Sequence, residues 1–225
     1  MRIISWNLLR LEGAAMQDVA ALLERQRPDM LLMQEVTQHM DRLTTLVPGH
    51  YHRLPWPGRI HGLAVWSRHH LAAPQVLPLP ASPLPGRLPR RRAQIVQLGE
   101  ITVANVHLSH GQLLNRRQLL RIAAALRGKP SAIIGDYNAV GPSLIPGFAD
   151  VGPREPTHFG GDVLPFRLDR CLAHGVACTF AGTLDFGPSD HKPIVLDLQV
   201  AEMKVHHHPM QRMRRRLAGI RAAFR

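Results

Sequence analysis

Short apolar runs that end on a polar or charged side chain recur along this chain. Ile3-Ile4-Ser5-Trp6-Asn7 ends on an Asn, Met30-Leu31-Leu32-Met33-Gln34-Glu35 on a Glu, and the run from Ile101 to Leu108 carries His107 near its end. Ala132-Ile133-Ile134-Gly135-Asp136-Tyr137-Asn138 ends on an Asp and an Asn two residues apart. Phe166-Arg167-Leu168-Asp169-Arg170 carries one more Asp, and Asp190-His191 stands just before the alternating run Ile194-Val195-Leu196-Asp197-Leu198. Apolar runs of this kind suit strands buried on both faces. Open sheets place their ligand sites at strand ends, so the pattern predicts a site assembled there.

Between these strands lie two stretches of helical period. Glu12 to Arg27 repeats Val19, Leu22 and Leu23 and is ended by Pro28. Gln112 to Arg127 sets Leu113, Leu114, Leu119, Leu120, Ile122, Ala123 and Leu126 against Arg116, Arg117 and Arg121, the pattern of a basic helix packed on a sheet. The apolar strands near 61–67, 93–98 and 101–107 read as antiparallel neighbours. No internal repeat is present.

The ordered set Ser5-Trp6-Asn7, Gln34-Glu35, Val106-His107-Leu108, Gly135-Asp136-Tyr137-Asn138, Leu168-Asp169-Arg170 and Ser189-Asp190-His191 resembles the endonuclease/exonuclease/phosphatase superfamily. That group includes deoxyribonuclease I-like nucleases, abasic-site endonucleases, neutral sphingomyelinases and inositol polyphosphate 5-phosphatases. The resemblance spans about residues 2–200, in family order. It implies an α/β (α+β) fold: a four-layer α/β/β/α sandwich of two packed, mainly antiparallel sheets with helices outside. It also implies a metal-dependent phosphoesterase.

Composition is consistent with this expectation. A chain of 225 residues, 45% hydrophobic, can bury one sizeable core, so a catalytic domain over 1–200 and a tail over 201–225 are expected. No apolar segment is long enough to span a membrane. The N-terminus enters a strand at once, leaving no room for a signal peptide, and the expected location is cytoplasmic. Cys171 and Cys178 lack metal-type spacing and read as small buried hydrophobes rather than a disulfide or a metal site.

Charge adds a second clue. The chain carries +12, yet the expected site gathers Glu35, Asp136, Asp169 and Asp190. Clustered carboxylates repel one another unless a cation sits among them. Oxygen donors point to Mg²⁺, with Mn²⁺ as a substitute, rather than zinc. Surrounding basicity then favours an anionic phosphoester substrate, nucleic acid first. The loop from Ala72 to Arg92 holds six prolines and ends with Arg87, Arg90, Arg91 and Arg92. It is either a stiff arm that grips substrate phosphates or a solvated connection. These arginines, with Arg170 beside Asp169, are the candidate substrate contacts.

The tail from Ala201 holds seven Lys or Arg against one Glu. Met210, Met213, Leu217, Ile220 and Phe224 recur at three- and four-residue spacing among its arginines, giving a basic amphipathic helix. Such a helix docks on the body, meets a partner helix, lies on an anionic membrane surface or touches nucleic acid. His206-His207-His208 reads as an exposed linker rather than a metal site.

The resemblance also implies roles. Glu35 is the direct metal ligand, Asp190 completes the metal environment, and Asn7 orients a carboxylate, helps hold the metal or bonds a phosphate oxygen. Asp136 positions or deprotonates the attacking water, and Asn138, on the same strand face, fixes the phosphate. Asp169 orients His191 and sustains its charge. His107 donates a hydrogen bond or proton to the phosphate or leaving oxygen. Either Asp136 or His191 is the general base.

Three function classes are weighed. The first is a Mg²⁺-dependent nuclease, and the second a phospholipid or small-phosphoester hydrolase. The third is a catalytically dead basic binding module, which the complete set of acid, His and Asn positions argues against. Val106-His107-Leu108 is closer to the deoxyribonuclease I and sphingomyelinase branches than to abasic-site endonucleases, and the chain is short for DNA-gripping insertions. Aromatic residues make up only 5%, so base-stacking platforms are sparse.

Overall fold

The structure is a computed structural model that describes residues 1–82, 90–160, 164–185 and 187–201. The expected tail helix with His206–His208, and Arg87, lie outside the described residues. The elements run β1 (Arg2–Asn7), α1 (Met16–Gln26), β2 (Met30–Thr37), a 3-10 turn (Gln38–Arg42), α2 (Leu43–Leu46), β3 (His50–Pro55), β4 (His61–Ser67) and β5 (Gln75–Pro78). They continue with β6 (Arg92–Leu98), β7 (Ile101–His107), α3 (Gln112–Ala125), β8 (Ser131–Asp136), β9 (Ala149–Asp150), β10 (His158–Gly160) and β11 (Leu164–Phe166). β12 (Asp169–His174), β13 (Val176–Thr183) and β14 (Ile194–Val200) complete the described chain.

Two six-stranded sheets form, ordered β13-β14-β1-β2-β4-β3 and β5-β6-β7-β8-β12-β9, with β10-β11 as a separate ribbon. Only β1–β2 and β7–β8 pair in parallel, and each pair is linked through a helix, α1 or α3. All other pairings are antiparallel. The 61–67 strand lies in the first sheet, antiparallel to β2 and β3, while β6 and β7 pair with each other in the second.

Alternation along the central strands builds the layers, because successive side chains point to opposite faces. Ile3, Met30 and Leu32 enter the core between the sheets with Val103, Ala132 and Ile134. Their neighbours Ile4, Leu31 and Met33 face outward and pack on Val19 and Leu23 of α1 and Leu43 of α2. On the second sheet, Ala104, Val106 and Ile133 face outward onto Leu119 and Ile122 of α3 and Leu126 just beyond it. The result is the four-layer α/β/β/α sandwich expected from the sequence.

The helices differ from the sequence expectation in detail. α1 starts at Met16 rather than near Glu12, because Leu9 and Leu11 take positive φ and fold the preceding residues into a turn. On α3, Leu113 is 83% exposed, whereas Asn115 and Gln118 are buried. The amide of Asn115 donates to the carbonyls of Ser109 and Tyr137, and Gln118 accepts from the Ser109 N–H and donates to the Pro80 carbonyl. Loop backbone groups thus claim a helix face that the apolar period assigned to leucines. Residues 75–78 of the proline-rich stretch form an edge strand on β6, the position where a sheet tolerates proline. Cys171 and Cys178 are both free thiols, the first in the core and the second packed against it.

A polar network crosses the inter-sheet core. The Gln34 side chain of the first sheet donates to Asn105 Oδ1 of the second at 2.8 Å, and to Ser5. Asn105 Nδ2 faces the carbonyls of Met33 and Ala64 and the side chain of Gln94, and Gln94 donates back to the His52 carbonyl. Buried amides matched in this way fix how one sheet sits on the other. Replacing Asn105 by Ala strands several of these partners in the core. Urea unfolding should show a loss of roughly 3 kcal/mol, and a loss under about 1 kcal/mol would show that the network does not hold the sheets together.

Candidate active site

The registers put three of the expected residues in one row. His107 pairs with Asp136 across the parallel β7–β8 ladder, and Asp169 pairs with Asp136 across the antiparallel β8–β12 ladder. All three side chains follow an inter-sheet residue two positions away (Asn105, Ile134 and Cys171) and therefore face the first sheet. Asn7 comes from that sheet, two residues after Ser5, and its Nδ2 donates to Asp136 Oδ2 at 3.0 Å. Asn7 Oδ1 accepts from the Leu9 N–H, so this amide orients Asp136 and is itself held by the turn behind it.

Asp136 is 1% exposed and surrounded by donors. Asn138 N–H donates to its Oδ1 at 2.8 Å, Asn138 Nδ2 lies 3.3 Å from Oδ2, and His107 Nε2 lies 3.3 Å from the same oxygen. Asn138 Nδ2 also donates to the Leu108 carbonyl. Burial pushes the Asp136 pKa up, against the opposing effects of His191, Asn138 and Asn7. Backbone shape serves the same end. Asn138 adopts φ 49°, and Gly135, at φ 141°, lies so close to β7 that an added Cβ would meet the Val106 carbonyl at 2.1 Å. Glycine is required where backbones approach this closely.

His191 arrives from the loop before β14. Its Nδ1 is 2.7 Å from Asp169 Oδ2, and its Nε2 faces Asp136 Oδ2 at 3.9 Å, beyond hydrogen-bond reach. The Ser189 hydroxyl accepts from the His191 N–H, and Trp6 Nε1 donates to the His191 carbonyl. Asp169 is in turn held by Thr157, whose hydroxyl accepts from the Leu168 and Asp169 N–H groups. Burial works against a charged His191 ring, but Asp169 and Asp136 outweigh it and push its pKa up to about 10. His107 sits in the opposite environment. Burial, with the charges of Arg91 and His191, holds it well below its ordinary value, and its Nδ1 has no hydrogen-bond partner among the described residues.

Glu35 occupies a bulge where the β2–β4 register slips between Gln34 and Val36, and it takes φ 57°. Its carboxylate is 4.0 Å from Arg10 Nη1. Burial raises its pKa, Arg10 opposes this, and the charge of Asp136 adds to the rise. Asp190 lies at the rim, 3.3 Å from His158 Nε2. The His158 ring lies tilted at 60° to His191 with a centroid distance of 4.5 Å, and β10 bridges to His191 through the backbone.

The acidic groups fit a hard cation. Glu35 is destabilised as an anion by burial and by Asp136, and Asp169 Oδ1 is buried without a partner among the described residues. Two groups of candidate ligand atoms also converge, one of His158, Asp190 and His191 and one of Asp136, Asp169 and His191. Glu35 belongs to neither group, and unrelieved negative charge on these carboxylates is the environment a divalent cation relieves.

Of the expected substrate contacts, the structure brings Arg91 to the site. Its guanidinium lies 4.3 Å over the Trp56 ring, and Nε and Nη1 are buried without partners among the described residues. Burial lowers its pKa to about 10, while Asp136 and Glu35 pull the other way. Arg90 is exposed and Arg92 opens β6. Arg170 is not brought in. It alternates with Asp169 to the opposite face, where it bonds the carbonyls of Ala139 and Arg167 and lies 3.5 Å from Asp150. Sequence reasoning passed over His158, Thr157 and Trp56. Trp56 stands between Pro55 and Pro57, and Thr157 and His158 follow Pro156 at the start of a three-residue strand, so no apolar period places them.

The charge on His191 is open to direct measurement. Its folded pKa lies above the ordinary 6.5, so its contribution to stability is full below about 6.5 and is lost as pH rises towards 10. Imidazole ¹⁵N spectra should show His191 protonated throughout the neutral range, and Asp169→Asn should shift its titration down. A wild-type ring titrating near 6.5 would refute the Asp169–His191 coupling.

Comparison with known proteins agrees with this geometry. No curated protein matches the chain. Among solved structures, humanized D. rerio TDP2 carrying 14 mutations superposes with a TM-score of 0.72 at 17% identity, covering 89% of this chain and 99% of that one. An endonuclease/exonuclease/phosphatase from Beutenbergia cavernae gives 0.68 at 24% identity, covering 89% and 72%. A mannosyl-6-phosphatase from Bacteroides thetaiotaomicron gives 0.68 at 16%, covering 88% and 99%. These likenesses establish the fold. The model of the Endonuclease/Exonuclease/phosphatase family matches residues 4–191, from the second residue of the core run in β1 to His191, and the chain belongs to that family of phosphoester hydrolases.

Proposed function

We propose that the protein is a Mg²⁺-dependent phosphodiesterase in which water attacks a phosphate held between Asn138, His107 and His191. The observation that carries this reading is the buried array in which His191 meets the Asp169–Asp136–His107 row, with the charges of Glu35 and Asp190 close by. Glu35 and Asp190 would hold the divalent cation, with Asn7 beside them. When bound, that ion polarises a phosphate oxygen and offsets the charge of the surrounding carboxylates.

Asp136 is the group best placed to orient and deprotonate the water. It is the only acid of the array that touches both His107 and Asn138, and its raised pKa makes it a stronger base than an ordinary carboxylate. His191, held between two carboxylates, acts as a cation that stabilises charge developing on the phosphate. Asp169 orients that ring and sustains its charge. His107 keeps its neutral ring against Asp136 and presents a hydrogen bond to the incoming group. Arg91, with two buried donors unpartnered, is supported as the phosphate anchor.

Charge supports nucleic acid as the substrate, since +12 overall and exposed Arg90 beside the anchor favour a polyanion. A phospholipid is the second reading, favoured by the aliphatic residues around the site. Hydrolysis of bis-p-nitrophenyl phosphate and nicking of supercoiled plasmid test the chemistry and the first substrate class. Activity on the soluble diester should need Mg²⁺, stop with EDTA and fall at least about a hundredfold in His191→Ala and Glu35→Ala. Near-wild-type turnover in either folded variant would remove the mechanism.

A further inference from the structure

The two converging groups of ligand atoms differ in kind. Asp136, Asp169 and His191 are all buried, and Asp136 already accepts from Asn7 and Asn138. His158, Asp190 and His191 offer two imidazoles and one carboxylate, and His158 and Asp190 are partly exposed at the rim. Mg²⁺ prefers a shell of oxygens and water, whereas imidazole suits Zn²⁺ and its neighbours in the first transition row. A cation held at Glu35 does not account for this second group.

We propose that His158, Asp190 and His191 form a zinc site that inhibits hydrolysis. It meets the Mg²⁺ environment only at Asp190, and the ion enters from solvent along the exposed edge.

Four observations carry the site. First, His158 Nε2 and Asp190 Oδ2 are 3.3 Å apart. A charge-assisted hydrogen bond between such groups is shorter, about 2.7–2.9 Å. Two donors bound to one tetrahedral Zn²⁺ through bonds of about 2.0–2.1 Å stand about 3.3–3.4 Å apart, as these two atoms do. Second, Asp169 engages His191 at Nδ1, which leaves Nε2 as the ring nitrogen open to an ion. An imidazole whose far nitrogen is held by a carboxylate is the usual form of a zinc-binding histidine.

Third, the two rings are tilted at 60° rather than stacked, and the three donor atoms lie within 4.8 Å of one another. Fourth, the backbone fixes this approach before any ion arrives. His158 bridges to His191, the Phe159 N–H donates to the Asp190 carbonyl at 3.2 Å, and the Lys192 N–H donates to the Thr157 carbonyl at 2.7 Å. A site whose donors are held in advance loses little entropy on binding.

Inhibition rests on the phosphodiesterase reading, whereas binding does not. The ion takes His191 Nε2, whose proton passes to solvent as the bond forms, and it takes the carboxylate that would otherwise serve Mg²⁺. The centre then lacks the cationic ring that meets the phosphate.

The test titrates Zn²⁺ into the full chain and three variants: His158→Ala, Glu35→Gln, and the tail triple His206→Ala, His207→Ala, His208→Ala. Imidazole ¹⁵N spectra report binding, and Co²⁺ serves as a visible-absorption probe of tetrahedral coordination. In the wild type, Zn²⁺ should move the His158 and His191 signals together. His158→Ala should bind Zn²⁺ at least about tenfold more weakly, the cost of losing even an outer-shell partner. Zinc inhibition of Mg²⁺-driven bis-p-nitrophenyl phosphate turnover, taken relative to each protein's own uninhibited rate, should weaken by the same factor.

Equal zinc affinity in the wild type and His158→Ala would overturn the site. So would loss of binding in the tail triple variant alone, which would move the ion to the tail. Loss in Glu35→Gln but not in His158→Ala would put the ion in the Mg²⁺ site and overturn it as well. Zinc bound through His158 without slowing turnover would overturn the inhibitory role. Zinc bound through His158 by a protein that turns over no diester in Mg²⁺ would sink the phosphodiesterase reading and leave the metal site standing.

Discussion

A single buried carboxylate organises this molecule. Asp136 takes hydrogen bonds from Asn7 in one sheet and from Asn138 beyond its own strand, and His107 lies against it from the neighbouring strand. A carboxylate that is 1% exposed survives in a protein only when its oxygens are satisfied. Satisfying these oxygens requires the ends of β1, β7 and β8 to meet at fixed distances. The catalytic geometry and the closure of the sandwich at this end are thus one requirement, not two.

The layer between the sheets prepares for that requirement in steps. At one level it is apolar, with Ile3, Val103, Ala132 and Ala173. Towards the site Ser5, Gln34 and Asn105 replace hydrocarbon with neutral polar groups that bond across the sheets. Beyond them stand Asn7, His107, Asp136 and Asp169. A charge placed directly on hydrocarbon would be far more costly to bury than one placed on oriented amides. Glu35, Gly135 and Asn138, which flank the site, also take positive φ. Backbone conformations of this kind persist where the surrounding packing imposes them, and here the paired ladders on both sides do so.

The strands and the polar residues that end or open them were legible in the sequence, because strand ends are recognisable without a structure, whereas the order of the strands in the two sheets was not. Asn7, His107 and Asp136 needed only that local signal. Arg170 was misread for a related reason. Its neighbour Asp169 faces the site, so the alternation of β12 sends Arg170 to the other face and onto Asp150. The leucines of α3 misled because helical period counts side chains and not the backbone groups nearby that lack partners, which Asn115 and Gln118 satisfy. His158 and Trp56 had no pattern to betray them. Their positions follow from loops whose path is set by tertiary contacts, such as the bridge between His158 and His191.

The two imidazoles show how far environment alone can separate like groups. His107 Nε2 and His191 Nε2 both face Asp136 Oδ2, at 3.3 and 3.9 Å. His191 has Asp169 behind it, which holds the proton on and drives its pKa up. His107 is fully buried, with the charges of Arg91 and His191 nearby, all of which disfavour a further positive charge. One site therefore carries a charged ring and a neutral ring on either side of one carboxylate. That asymmetry lets a single centre bind an anionic phosphate on the cationic side and leave the other ring free to exchange a hydrogen bond, the division of labour that acid–base chemistry near neutral pH needs.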